Sequence, residues 1–382
     1  MKADKHSYPS VHRGIVRAAM RLLEQKNTEA SAFYKVSDLE VMVESAAYPD
    51  RIGDRQQGSG LHYYIAVSPN GTPTVSNTDG FYPNGKGKYA PSPRTMFQSE
   101  LYMAMVLCSN RKQQAGMESL SRAVHMIADI CCPPHATGLS YLSRYGVNHK
   151  RYEATAAEYF WGNLAELDED IVAKKWAEMA AGDIPYDTFC AITEHLASHD
   201  SVCDAEITQV FRRIADESAK DLHIALGEDI SAIEKSVKSR VIEAIRNAAA
   251  LLGAFAFVSM QHGVVSLREA CPYRVLSAET RFSLVHEPLY LHFGDDGSFT
   301  LSSQDGRNLT VSPLGNVMLM ENSNSVNAKF RLGFEPQPVI YVGNDMNRVL
   351  GLKNKRLHCF DRRFYFYSDQ YFQKDTKLIL SE

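Results

Sequence analysis

The hydrophobic pattern of this chain changes period once, near residues 261–268, and that change limits the fold more than any other feature. Before it, apolar residues recur at helical spacing, in Val11–Leu23, Leu101–Leu107, Gly116–Ile130, Tyr152–Leu167, Val202–Leu226 and Ile230–Met260. From Tyr273 onward alternation of period two dominates, as in Phe299-Thr300-Leu301-Ser302 and Phe364-Tyr365-Phe366-Tyr367, broken by Asp296-Gly297 and Asp305-Gly306 turns. The pattern predicts a mainly α chain, with a helical domain over 1–262 and a smaller all-β domain over 268–382. A length of 382 residues suits two domains at roughly 100–200 residues each.

Within the β region, Gly306-Arg307-Asn308-Leu309-Thr310-Val311 is echoed by Asn347-Arg348-Val349-Leu350-Gly351-Leu352. That repeat suggests either a trefoil-like module or a sandwich. The stretch from Tyr48 to Arg94 differs from both halves, being rich in Gly, Pro, Asn and Ser, and a loop that long is usually functional. The most apolar run, Ala248 to Met260, falls short of the ~18–20 residues that span a bilayer and reads as a buried helix.

Composition excludes two classes. Hydrophobic residues at 45% and charged residues at 23% are globular values rather than those of a disordered chain. A formal charge of −4 leaves no basic footprint for electrostatic capture of nucleic acid. The polar opening Met1-Lys2-Ala3-Asp4-Lys5-His6 is no signal peptide, so the chain is either cytosolic or a mature form. Seven cysteines are too few for a disulfide scaffold, though Cys190 and Cys203 stand where they could close a loop.

Chemistry concentrates in three segments: His125-Met-Ile-Ala-Asp129, Cys131-Cys132-Pro133-Pro134-His135 and His149-Lys-Arg-Tyr-Glu153. His125 and Asp129 are four apart, as are His149 and Glu153, so each pair shares a helix face. His135 follows a Pro-Pro break where the chain can turn back. Imidazoles with carboxylates and no thiolates make a catalytic rather than a structural zinc set. With His12, Asp50 and His62 upstream, there are enough ligands for two or three ions. A single His–x3–Asp pair means little; His195, His199 and Asp200 repeat the pattern with no further ligands nearby and read as ordinary surface residues.

The order and spacing of the whole series carry more weight. His–(37)–Asp–(11)–His–(62)–His–(3)–Asp–(5)–His–(13)–His–(3)–Glu resembles the bacterial zinc-dependent phospholipase C family. This family comprises the phosphatidylcholine-hydrolysing enzymes of bacilli and the clostridial alpha-toxins. Ser10-Val11-His12-Arg13-Gly14-Ile15-Val16, Tyr48-Pro49-Asp50 and His62-Tyr63-Tyr64 are similar to its local words, and the likeness covers roughly residues 2–160. It implies one zinc on Asp50, His62, His125 and Asp129, and a second on His135, His149 and Glu153. A third would take His12 and the other oxygen of Asp129. In the family that third ion is completed by the mature N-terminal residue, a tryptophan; either Met1 stands there or the site is altered.

The same resemblance implies hydrolysis of the glycerol-side phosphodiester of phospholipids at a membrane surface, with Asp50 as general base. Phosphatidylcholine is the favoured substrate. Tyr63, Tyr64, Phe81 and Tyr82 are candidates for the head-group cage by loop position. Arg51 stands where the family can use an aromatic, and could favour an anionic lipid instead. Relatives are exported, so a secreted enzyme is expected, or a translocated effector if no leader is encoded. Zinc nucleases of the S1/P1 type share the scaffold, but favour Asp where this chain has Glu153 and lack such a β domain. A third possibility is a membrane-binding module, with Phe364, Tyr365, Phe366, Tyr367, Tyr371 and Phe372 beside Arg362 and Arg363 at a lipid interface. No match to the toxins' calcium-binding sandwich is found.

Overall fold

The computed structural model describes residues 9–51, 62–67, 73–76, 92–139, 144–198, 202–261, 274–275, 290–321, 325–334, 338–353, 356–361 and 380–381. Its helices are α1 Val11–Lys26, α2 Thr28–Ala32, α3 Val36–Ser45, α4 Pro93–Ser109, α5 Gln113–Ile130, α6 Pro133–Ala136 and α7 Gly146–Trp161. They continue with α8 Glu169–Met179, α9 Tyr186–Ala197, α10 Val202–Ala219, α11 Leu222–Leu226 and α12 Ile230–Gln261. A short ribbon, β1 Ile65–Val67 with β2 Pro73–Ser76, lies inside the Gly/Pro-rich stretch. Met1, Phe81, Tyr82, His199, Asp200 and the aromatic cluster at 364–372 lie outside the described residues.

Local signals place the helices that matter for the site. The Ser10 hydroxyl accepts from the His12 amide and starts α1, which fixes where His12 projects. Ser92 and Thr95 cap α4 reciprocally, with Pro93 at its first turn. Pro133 and Pro134 separate α5 from the single turn of α6, which brings His135 back toward Asp129. α7 begins at Gly146, six residues before the expected Tyr152, and stops at Gly162, whose φ of 72° suits a residue without a Cβ. The 3₁₀ turn Leu164–Glu166 follows as a separate element.

The core is built on α1 and α12. Along α12, Ala248, Ala249, Ala250, Leu251, Leu252 and Phe255 are fully buried. By length and composition 230–260 could cross a membrane, but its most apolar window is 78% buried inside the protein. Gly14 lets α1 approach the end of α7, since a Cβ there would overlap Phe160 and Trp161.

Among the described residues after Gln261 the elements are strands and one 3₁₀ turn, Val326–Ala328. β4 Tyr290–Phe293, β5 Phe299–Ser302, β6 Asn308–Val311, β7 Val317–Met320, β8 Phe330–Phe334, β9 Pro338–Val342, β10 Asp345–Lys353 and β11 Arg356–Asp361 form one antiparallel sheet. Its order is β11-β10-β9-β8-β5-β6-β7, with β4 on β5. The two ends meet: Asn316 bridges His358, and the Cys359 amide donates to the Gly315 carbonyl at 2.9 Å. The sheet therefore curls toward closure and leaves few bare edges. The self-similar segments fall on β6 and β10. Separately, β3 Arg274–Val275 pairs β12 Leu380–Ser381.

Candidate metal centre

All eight side chains of the series, His12, Asp50, His62, His125, Asp129, His135, His149 and Glu153, are brought together at the junction of α1, α5, α6 and α7. Asp129 is the hub. Its Oδ1 lies 3.4 Å from His12 Nε2. Its Oδ2 lies 2.6 Å from His62 Nδ1, 3.2 Å from His125 Nε2 and 3.8 Å from His135 Nδ1. The second focus is Glu153 Oε1, 3.0 Å from His135 Nε2 and 2.9 Å from His149 Nε2. Asp50 stands at the edge, its side chain 49% exposed, 3.8 Å from His12 Nε2 and 3.7 Å from His125 Nε2.

Main-chain carbonyls aim the rings. Nδ1–H of His125 donates to Ala46, that of His135 to His62, and that of His149 to Leu139. A donor fixed on Nδ1 turns Nε2 toward the centre. In consequence His135 Nε2 and His149 Nε2 face one another at 3.3 Å, and His125 Nε2 faces His62 Nδ1 at 3.4 Å. Nitrogens so close on a shared carboxylate could hold a cation between them. Three groups meet that geometry, with donor atoms within 4.8 Å of one another: His12–Asp50–His125, His62–His125–Asp129, and His135–His149–Glu153. Imidazole and carboxylate donors of this kind fit zinc.

The electrostatics agree. Burial lowers the His125 and His135 pKa values, but Asp129 outweighs it, aided by Asp50 for the first and Glu153 for the second, and both rise to about 9. Asp129 and Glu153 are held below the usual carboxylate range by those histidines, despite burial. Burial and the His125 charge take His12 down to about 4, so its ring is neutral. The centre is arranged to hold positive charge.

Beside these side chains a cavity of about 450 Å³ runs between α1, α7 and α12. It is lined by Asp50, Asp129, His135 and Glu153 together with Ile15, Tyr152, Val237, Val241 and Ala244. Of the residues expected near the substrate, Tyr63 stacks on His135, ring centroids 5.1 Å apart. Tyr64 is buried against Phe211. Arg51 lies over the Tyr48 ring at 4.6 Å, with Arg122 also near that ring at 5.3 Å. None of Arg51, Tyr63 and Tyr64 lines the cavity. His195 pairs with Glu206 at 2.8 Å, away from the centre, and Cys190 is a free thiol. The orienting carbonyls and the α12 wall had no sequence signature; only the apolarity of α12 hinted at the latter.

No family model and no curated protein matches the chain. Among solved structures it is similar to the alpha toxin of Clostridium absonum, at 12% identity and a TM-score of 0.48, over 94% of this chain and 95% of that one. It is also similar to Clostridium perfringens alpha-toxin from an avian strain, at 10% identity and a TM-score of 0.47, over 93% and 94%.

Proposed function

We propose that this chain is a zinc-dependent phosphodiesterase of the phospholipase C type, acting on phospholipids at a membrane surface. In this reading residues 1–262 are the catalytic domain and 268–382 a lipid- or partner-binding domain; export is the matching proposal for its location. The observation that carries it is the meeting of three His–carboxylate groups, on Asp50, Asp129 and Glu153, beside a cavity lined in part by aliphatic side chains.

His135, His149 and Glu153 would hold one zinc; Asp50, His62, His125 and Asp129 a second; His12 and Asp129 contribute to a third. Bound zinc supplies Lewis acidity toward phosphoryl oxygens and lowers the pKa of water. Asp129 keeps two groups in register by giving Oδ1 to one and Oδ2 to the other. Asp50, at the open edge, accepts the proton of the water that adds to phosphorus. As the phosphorus–oxygen bond to glycerol breaks, that proton is available to the departing oxygen. The products are diacylglycerol and a phosphorylated head group.

A nuclease on the same centre would need platforms on which bases stack. The described cavity wall offers Tyr152, whose hydroxyl is engaged with Ser236 at 3.0 Å. Diacylglycerol release from phospholipid in mixed micelles is expected, abolished by chelator. Cleavage of single-stranded DNA without lipid hydrolysis would replace this reading with the nuclease.

A further inference from the structure

We infer that Trp161 is a positioning residue for His12. Its indole N–H, given to the Pro9 carbonyl, clamps the start of α1 to the end of α7 and so fixes where His12 stands. The inference rests on the metal centre proposed above and concerns how one of its side chains is held.

His12 is held differently from the other helical histidines of the centre. His125, His135 and His149 each give Nδ1–H to a main-chain carbonyl. Among the described residues His12 Nδ1 has no hydrogen-bond partner, and its ring stacks on His125 with centroids 3.9 Å apart. Its Nε2 nevertheless stands 3.4 Å from Asp129 Oδ1 and 3.8 Å from Asp50 Oδ2. The ring takes its place from the backbone that carries it, and His12 is the second residue of α1.

That backbone is fastened twice. Within the helix, Ser10 Oγ accepts from the His12 amide at 3.3 Å and the Ser10 carbonyl from the Arg13 amide at 3.1 Å. From outside, Trp161 holds the carbonyl of Pro9, the residue before the cap. Trp161 closes α7 and is 2% exposed, so the bond is made away from water, where it is stronger. The same helix carries His149 and Glu153, twelve and eight residues earlier. The clamp therefore ties the helix of His12 to the helix of the second focus and keeps the two groups in register. A second tryptophan separates positioning from packing. Trp176 is equally buried and stacks on Phe160 at 4.9 Å, but its indole N–H goes to the Phe160 carbonyl at 3.0 Å, so its bond stays on α7.

Trp161→Phe and Trp176→Phe each remove one indole N–H and keep an aromatic ring. Zinc affinities are read by competition with chelating indicators, and stability by thermal unfolding of the same samples. Trp161→Phe is expected to weaken one zinc by about 10–100-fold and to leave the others at wild-type affinity. Trp176→Phe should lower stability with every zinc affinity unchanged. In a His12→Ala background Trp161→Phe should weaken zinc no further, because its effect runs through that ring. Linkage demands the reverse coupling as well. In Trp176→Phe, where Trp161 is the one tryptophan left in the chain, adding zinc to metal-free protein should shift its emission, and His12→Ala should remove the shift. Wild-type zinc affinities in Trp161→Phe, or an equal loss of zinc in Trp176→Phe, overturn the inference and leave the metal centre standing. An emission indifferent to zinc does the same, and needs no Trp161 variant that folds. Wild-type protein that takes up no zinc overturns the metal centre itself, and this inference with it.

Discussion

His125, His135 and His149 owe their directions to Ala46, His62 and Leu139, whose carbonyls turn each ring so that Nε2 faces a carboxylate. Glu153 has the simplest role, with one oxygen within 3.0 Å of two imidazoles. Glu153→Gln keeps the shape and removes the charge, so one zinc per chain is expected to be lost. Activity should fall by about 100-fold or more, the upper end of what an outer-shell change costs. Elemental analysis beside the activity assay checks this; a variant that keeps all its metal contradicts it. That these eight side chains meet was legible in the sequence because metal liganding, the role proposed for them, demands particular residue types at particular spacings. The carbonyls were not, since any residue supplies one. The Tyr63–His135 stack was legible only as proximity in sequence, and its partner was not.

Among the elements, helices with broad apolar faces were readable, and those with thin ones were missed. α8 buries only Ala173, Trp176 and Ala177, too narrow a stripe to stand out among its charges. The repeat on β6 and β10 was visible, but not the way the sheet curls round to meet itself. That closure depends on Gly315, at φ 80°, where a Cβ would press on the Cys359 carbonyl. Gly315→Ala is expected to destabilise the protein by about 1–3 kcal/mol, read from denaturant unfolding. Asp296 gives a pH test in the same region. Burial tends to raise its pKa, but hydrogen bonds from Ser298 and the charges of Arg331 and Lys329 hold it at about 2, below its ordinary 3.8. Its contribution is therefore full above the unfolded value and lost as pH falls through the folded one. Asp296→Asn should cost at most about 1 kcal/mol at neutral pH, since the group is half exposed and screened. The gap from wild type should close between pH 4 and 2; a gap that widens there contradicts the assignment.

At the scale of the whole molecule, the helical part and the sheet share one apolar core. α4 is buried on every side from Pro93 to Leu107, as expected of a helix covered all round. Part of that cover comes from the sheet: Ser99 Oγ lies 3.2 Å from the Tyr341 hydroxyl, and Gly297 sits against Leu107 and Ala115. Lys112 pairs with Asp295 at 2.8 Å across the same boundary. The change of hydrophobic period told of two parts; it could not tell that they adhere, because contact between distant segments has no local signature. Calorimetry is expected to show one cooperative transition. Two well-separated transitions would mean that the shared core does not couple them.

Zinc per chain, measured by elemental analysis before and after chelation with diacylglycerol release followed in parallel, is the most direct test of the centre. About two or three zinc ions per chain are predicted, with metal and lipid hydrolysis lost together and restored together. A chain that binds no stoichiometric zinc, or that hydrolyses phospholipid equally well without it, would contradict the assignment of these eight side chains to a metal centre.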